Sequence, residues 1–297
     1  MQSIRFIWQG VTKRKAHWSD GLREAMRILE KKYEVTYHEP DGDVPDGLVL
    51  YWEAPCTINS KDGEKYRTIK NRPGKKVLLF AGGPVQKEWV DGFDHVCVES
   101  EISEKEFSAI GVPNSRAFGI NDTIFKPQQV EKIFDGVHHG TSASWKRQWL
   151  MTEALREKAL CVGRIQPHDT KPYDKCIEHG STWIDEQPYT SLPGLISQAH
   201  VCVNTCEYWG GGQRTTLEAM ACGIPVIAMS DSPKNREYVE ESGAGLVVDP
   251  SPDKVKQAVA EIKTWTKKEK ERGIAYIKSK WTAKHYADAL DKVIQSL

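Results

Sequence analysis

The segment CEYWGGGQRTTLEAMACGIPVIAM, residues 206–229, holds the densest set of residues able to do chemistry. An apolar run ends at Asn204, a loop with three consecutive glycines (Gly210, Gly211 and Gly212) follows, and a helix is expected from Gln213 or Arg214. Such a loop puts bare backbone N–H groups and a helix N-terminus where the strands of a sheet end, which favours a phosphate or another anion. The glycines admit a ligand where any Cβ would clash. A tight βα turn that binds nothing has the same composition.

A loop of this kind needs a parallel sheet to end on, and the chain has the pattern that builds one. Short apolar runs alternate with helix-like stretches, as in βαβ units. Residues 3–8, 34–37, 48–52, 76–80 and 95–99 read as strands bounded by Gly, Pro and Asp, with a helix over about 19–32 carried by Leu22, Met26 and Leu29 and capped by Ser19. After Pro127 the pattern restarts, with strands at 133–137, 159–162, 201–204, 225–229 and 245–248 and helices near 146–157 and 214–221. The boundary is therefore expected near 127–131. Two longer helical patterns, 252–268 and 270–297, close the chain. The apolar stripe of the second (Trp281, Tyr286, Ala289, Leu290, Val293) is expected to dock on a domain surface.

The 297 residues are enough for two domains. With 41 basic and 41 acidic residues, no global field draws the protein to nucleic acid or an anionic membrane. A chain that is 39% hydrophobic and 28% charged is neither disordered nor collagen-like. No apolar run approaches the ~18 residues of a membrane span. The N-terminal MQSIRFIWQG lacks a secretory pattern, so a cytoplasmic protein without stable membrane insertion is expected. Seven cysteines with no CxxC pair suit reduced, buried thiols better than a disulfide framework or a zinc site. Asp41-Gly42-Asp43 reads as turn chemistry, and no metal is expected.

The sequence after the glycine loop resembles the donor-binding half of retaining GT-B glycosyltransferases, in the large sucrose-synthase-like family (glycosyl transferases group 1, family four). Residues 218–228, EAMACGIPVIA, fit the family's E-A-M-A-x-G-x-P-V-I-A position by position, and Glu237, Gly243 and Gly245 follow in order. GVPNSRAFGINDTIFKP, residues 111–127, is similar to the family's entry into its second domain, and Trp281 to Tyr286 to the start of its final helix. The resemblance covers about residues 96–297. It implies an α/β fold of two Rossmann-like domains facing a cleft, the GT-B arrangement. Residues 1–127 would form the acceptor-side domain, 128–275 the nucleotide-sugar-binding domain, and 276–297 a helix crossing back.

The resemblance also implies roles. Glu218 would accept hydrogen bonds from the nucleotide ribose. In GTSASWKR, Gly140 and Lys146 have the spacing of the family's G-R-x-x-x-x-K-G, so Lys146 would offset the charge of a departing nucleoside diphosphate. Gly140, Thr141, Arg147, Gly210, Gly211, Gly212, Gln213, Arg214 and Thr215 would complete the donor site. An alternative pair, Arg164 and Lys171 in VGRIQPHDTK, leaves too little chain before Glu218 for the intervening βα units. Three positions depart from the family. Its Arg falls on Thr141, leaving Arg147 or Arg214 to supply the second positive charge. The first Glu of its E-x7-E falls on Gly210, with Glu207 three residues earlier as the stand-in. Its first-domain histidine has no counterpart: Gly82 and Gly83 occupy that region, and with Gly10 and Glu53 they are the expected acceptor-side residues. His138 and His139, just before Gly140, are candidates to line the cleft.

The implied reaction moves a hexosyl or pentosyl unit from a nucleotide-diphosphate sugar, a UDP-sugar first, to an acceptor hydroxyl. It would proceed with retention and without metal or cofactor, by charge stabilisation and positioning. The expected acceptors are glycans, lipid-linked sugars or small molecules, while ten tryptophans and short basic runs also admit a modified nucleic-acid base. The alternatives are a nucleotide-sugar epimerase or hydrolase on the same fold, and a non-catalytic sugar-nucleotide-binding protein, which Gly210 at the family's Glu position favours.

Overall fold

The computed structural model describes residues 2–11, 20–53, 63–208, 211 and 213–297. They form two units, one of residues 1–121 with 282–297 and one of residues 122–281.

The first unit is a six-stranded parallel sheet of β1 (Ser3–Ile7), β2 (Glu34–His38), β3 (Leu48–Glu53), β4 (Lys76–Phe80), β5 (His95–Val98) and β6 (Asn114–Arg116), in the order β2-β1-β3-β4-β5-β6. Its crossovers carry α1 (Gly21–Leu29), α2 (Gly63–Lys70), α3 (Lys87–Val90) and α4 (Glu101–Ala109). The run KVLLF of β4 is buried throughout, as a parallel strand covered on both faces must be. Tyr51, Leu78, Val96 and Phe107 belong to the core on one face. Asp20 caps α1 by accepting from the Arg23 amide at 3.0 Å. The expected cap, Ser19, lies outside the described residues.

The second unit repeats the plan with β7 (Phe134–His139), β8 (Ala159–Val162), β9 (Thr182–Ile184), β10 (Ala199–Asn204), β11 (Val226–Met229) and β12 (Gly245–Val248), in the order β12-β11-β10-β7-β8-β9. Every pairing is parallel. The helices are α5 (Trp149–Leu155), α6 (Lys171–Glu178), α7 (Leu192–Ser197), α8 (Gln213–Ala221), α9 (Pro233–Ser242), α10 (Pro252–Lys263), α11 (Lys267–Lys270) and α12 (Arg272–Lys280). The last helix, α13 (Ala283–Ser296), belongs to the first unit, where Lys32 and Tyr33 each bond the Asp291 carboxylate at 2.6 Å.

The division falls at 121/122, earlier than the expected 127, because the chain after it already packs in the second unit. Phe125 meets the Tyr189 ring edge to face at 5.1 Å, and Pro127 lies beside Gly223. The second crossing falls at 281/282, later than the expected 275/276. Trp281 sets it, by packing edge-on against Tyr238 at 5.1 Å, and Thr282 then caps α13. The tail pattern expected over 270–297 is thus two helices on different units. Likewise, 252–268 ends in a break at Thr264, and a capping box between Thr266 and Glu269 starts α11. The edge strands β6 and β9, three residues each, are too short to announce themselves, and β6 (NSR) is also wholly polar.

Among the described residues no helix is long and apolar enough to cross a membrane, and no group of three His, Cys, Asp or Glu could hold a metal ion. Six cysteines are described, all free and buried. Asp41 sits in a turn and pairs with Lys65 at 2.9 Å.

Candidate active site

In the second sheet the chain runs from β7 outward through β8 to β9, then returns to β10 on the other side of β7. The connections leaving β7 and β10 therefore diverge above the sheet and open a crevice between them, the usual ligand position in a parallel α/β sheet. Gly140, Thr141 and Lys146 follow β7, while Glu207, Gly211, Gln213 and Arg214 follow β10. Arg164 and Lys171 follow β8, one strand further out, so this topology puts Lys146 and not Lys171 at the switch point.

Lys146 ends a 3-10 turn, Ser144–Lys146, and the left-handed backbone of Arg147 (φ 48°) separates that turn from α5, which splits the single helix expected over 146–157. The turn folds the lysine back over the strand end. A methyl group added at Gly140 would stand 2.8 Å from Lys146 Nζ and 3.8 Å from Thr215 Cγ2. The ammonium and the first turn of α8 therefore flank one glycine. Thr205 Oγ1 donates to the Lys146 carbonyl, and the Glu207 amide donates to the Trp145 carbonyl at 3.0 Å, tying the two crevice loops together.

Arg147 takes a structural part. Its Nη1 and Nη2 each reach Asp231 at 2.7 Å, its Nε donates to the Thr205 carbonyl at 2.9 Å, and Nη2 also reaches the Cys206 carbonyl at 3.2 Å. The Asp231 carboxylate raises its pKa further. The guanidinium is a strut between the crevice loops and the start of α9, a fixed fork that Lys could not reproduce. The sequence reading missed Lys234, on the first turn of α9, which is 3% exposed with its Nζ 5.8 Å from the centre of the Tyr208 ring. The neighbouring Asn235 joins Asn204 (3.0 Å) and Thr216 (3.1 Å) in a buried triangle that locks β10, α8 and α9. Its amide also approaches the Gly211 carbonyl at 3.5 Å. The only prior sign of Lys234 was its place three residues before Glu237.

Glu207 is half-buried, Arg214 and Thr215 are half-exposed on the first turn of α8, and Gln213 is buried with no hydrogen-bond partner for its Oε1 among the described residues. Gly210 and Gly212 lie outside the described residues. Glu218 is 1% exposed on α8, with its Oε2 3.0 Å from His139 Nε2 and its Oε1 accepting from the Tyr189 hydroxyl. Burial and the neighbouring positive groups keep His139 neutral, so Nε2–H is the donor in that bond.

His138 on the same strand donates from Nδ1 to the Val203 carbonyl at 2.8 Å. Burial, reinforced by Lys146, pushes its pKa down to about 3. In the unfolded chain it titrates near 6.5, so below that pH the unfolded state binds the proton first. Its contribution is complete above about pH 6.5 and should fall as the pH drops toward 3, by at most about 1.4 kcal/mol per pH unit. Denaturant unfolding at about pH 7.5, 6 and 5 measures the slope. His138→Asn, whose amide keeps a donor for Val203, should reduce the slope by that amount and leave the share of His139, which burial also pushes down to about 3.

In the first unit the corresponding switch point lies between β1 and β3. Gly10 (φ 80°) follows β1 and its amide donates to Glu39 at 2.5 Å. Glu53 ends β3, half-buried, with Tyr51 donating to its carboxylate at 3.4 Å. Gly82 and Gly83 follow β4, the strand beside β3. All four sequence-expected residues thus stand at the carboxyl edge of one sheet.

The sequence model of the family glycosyl transferases group 1 matches residues 171–294, from α6 into α13. No significant match is found among curated protein sequences. Among solved structures, sucrose-phosphate synthase from Thermosynechococcus elongatus superposes with a TM-score of 0.76 at 14% identity, over 100% of this chain and 99% of that one. HepE from Anabaena, in complex with UDP and glucose, gives 0.72 at 13% identity over 100% of both chains. A glycosyltransferase from Rickettsia africae gives 0.70 at 12% identity over 99% and 98%. Identities this low speak for the fold, and the family match speaks for the domain it covers. The chain therefore carries a glycosyl transferases group 1 domain on the GT-B fold, two Rossmann-like units each built on a six-stranded parallel sheet.

Proposed function

We propose that the protein transfers a hexosyl or pentosyl unit from a UDP-sugar to an acceptor hydroxyl, with retention and without a metal, the acceptor being recognised by residues of the first unit. The observation that carries this reading is the Lys146 ammonium poised over Gly140 beside the first turn of α8. A positive side chain and a helix N-terminus bracketing one bare strand end suit a diphosphate, and they stabilise it most as the sugar–oxygen bond breaks and charge gathers on the leaving group. Arg214 and Lys234 are the cations placed to share that charge where Thr141 has none. Retention follows from the resemblance to retaining enzymes, and UDP as the carrier is supported by HepE, which binds UDP and glucose on the same fold.

The nucleotide half of the reading is tested by binding. UDP and UDP-sugars should raise the melting temperature above that seen with GDP, ADP or TDP counterparts, with or without EDTA. Glu218→Ala removes the carboxylate assigned to the ribose and should weaken UDP about 10- to 100-fold by calorimetry, the range for hydrogen bonds to a charged group. Unchanged affinity would remove Glu218 from the ribose site.

A further inference from the structure

Both oxygens of the Glu218 carboxylate are engaged without any nucleotide: His139 Nε2–H holds Oε2 at 3.0 Å, and the Tyr189 hydroxyl donates to Oε1. The two partners differ in how they are held. His139 is the last residue of the central strand β7, and its side chain is 3% exposed. Tyr189 is half-buried, sits on a three-residue 3-10 turn ahead of α7, and leans its ring on Phe125. One bond is built into the sheet, and the other comes from a short turn outside it.

A ribose hydroxyl meets a carboxylate as an O–H donor, which is the part the phenol plays here. On the reading of Glu218 as the ribose carboxylate, we propose that Tyr189 is a gate on nucleotide entry. Its hydroxyl occupies the ribose place on Oε1, and binding exchanges one O–H···O⁻ bond for another as Tyr189 withdraws. His139 stays on Oε2 throughout and orients the carboxylate, so the ribose enters on the Oε1 side. The nucleotide then gains less from Glu218 than it would from an open Oε1, because the phenol's bond is given up as the ribose's forms. Tyr189 thereby sets affinity without touching the reacting atoms.

The test is a double-mutant cycle read by calorimetry with UDP. Tyr189→Phe keeps the ring on Phe125 and deletes the competing hydroxyl. The empty protein then leaves Oε1 buried without that donor while the complex loses nothing, so UDP should bind about tenfold tighter and the ligand-free melting temperature should fall. In a Glu218→Ala background the same substitution should leave UDP affinity unchanged. Unchanged or weaker UDP binding by Tyr189→Phe alone overturns the gate and makes Tyr189 a wall of the site. Failure of the ribose reading looks different, since Glu218→Ala would then not weaken UDP at all. Circular dichroism shows whether each variant folds. If Tyr189→Phe does not, Phe125→Leu, which loosens the ring's support and keeps Glu218 intact, should also tighten UDP, and an unchanged affinity there overturns the gate.

Discussion

Replacing Lys146 with alanine should lower turnover of a UDP-sugar by about 10²–10³-fold, the usual effect of deleting one group that stabilises transition-state charge. The ammonium lies over Gly140 where the crevice loops diverge, and on the proposed reading it meets the diphosphate there as negative charge builds on it. Stability should hardly change, because the bonds that place this turn are made by its backbone. The Lys146 amide reaches the Ala143 carbonyl at 2.9 Å and the Lys146 carbonyl accepts from Thr205, both of which alanine keeps. Release of UDP from UDP-sugar, with and without candidate acceptors, gives the rate, and a melting curve confirms the fold. Lys146→Arg should recover part of the rate, since it keeps the charge but changes its reach. Normal turnover by the alanine variant would place the leaving-group charge elsewhere in the crevice, with Lys234 and Arg214 the next to examine.

Gly163→Ala should damage both the fold and the site, although residue 163 appears only in the disfavoured segment VGRIQPHDTK. It follows β8 with φ 148°, and a methyl group there would stand 2.2 Å from the carbonyl oxygen of Gly140. The Gly140 amide also donates to the Val162 carbonyl at 2.7 Å, so the ends of β7 and β8 are held close. The two strand ends would have to separate. Strain and overpacking together should cost about 2–5 kcal/mol, lowering the melting temperature by roughly 4–20 °C at about 2–4 °C per kcal/mol. The shift would pass directly to Gly140 and the ammonium above it, so the surviving folded protein should also turn over more slowly. A variant with native melting temperature and native rate would show that β7 and β8 are free to part.

Much of the architecture could be read in one dimension. The runs at β4 and β8 are bounded as expected, since a strand buried on both faces must be continuously apolar, and the half-buried edge strand β12 is also bounded as expected. The glycine loop before α8 and the helix beginning at Gln213 were legible for the same local reason. The spacing of Gly140 and Lys146 was visible, but its competitor, Arg164 and Lys171, was spaced almost as well. The chain left before Glu218 already disfavoured the second pair, and the order of strands adds that it lies one strand further out, a placement that leaves no local trace because a strand's neighbours are chosen by the path of the whole chain.

Side-chain partners were the least legible. Arg147 looked like a free cation beside Lys146, yet Asp231, far along the chain, takes both its Nη atoms. Glu218 was singled out by its motif, but nothing adjacent to it pointed to His139 and Tyr189. Lys234 belonged to no expected set until α9 brought it beside the loop after β10.

By itself, then, the sequence determined the repeated βαβ pattern and the start of the helix after the glycine run, because periodicity, glycine and capping act over a few neighbouring residues. The tertiary structure alone decided which arginine is spent on structure and what holds the Glu218 carboxylate. Those outcomes depend on residues tens of positions apart meeting at the ends of parallel strands, and on the desolvation that makes each buried charge or hydrogen bond find its partner there.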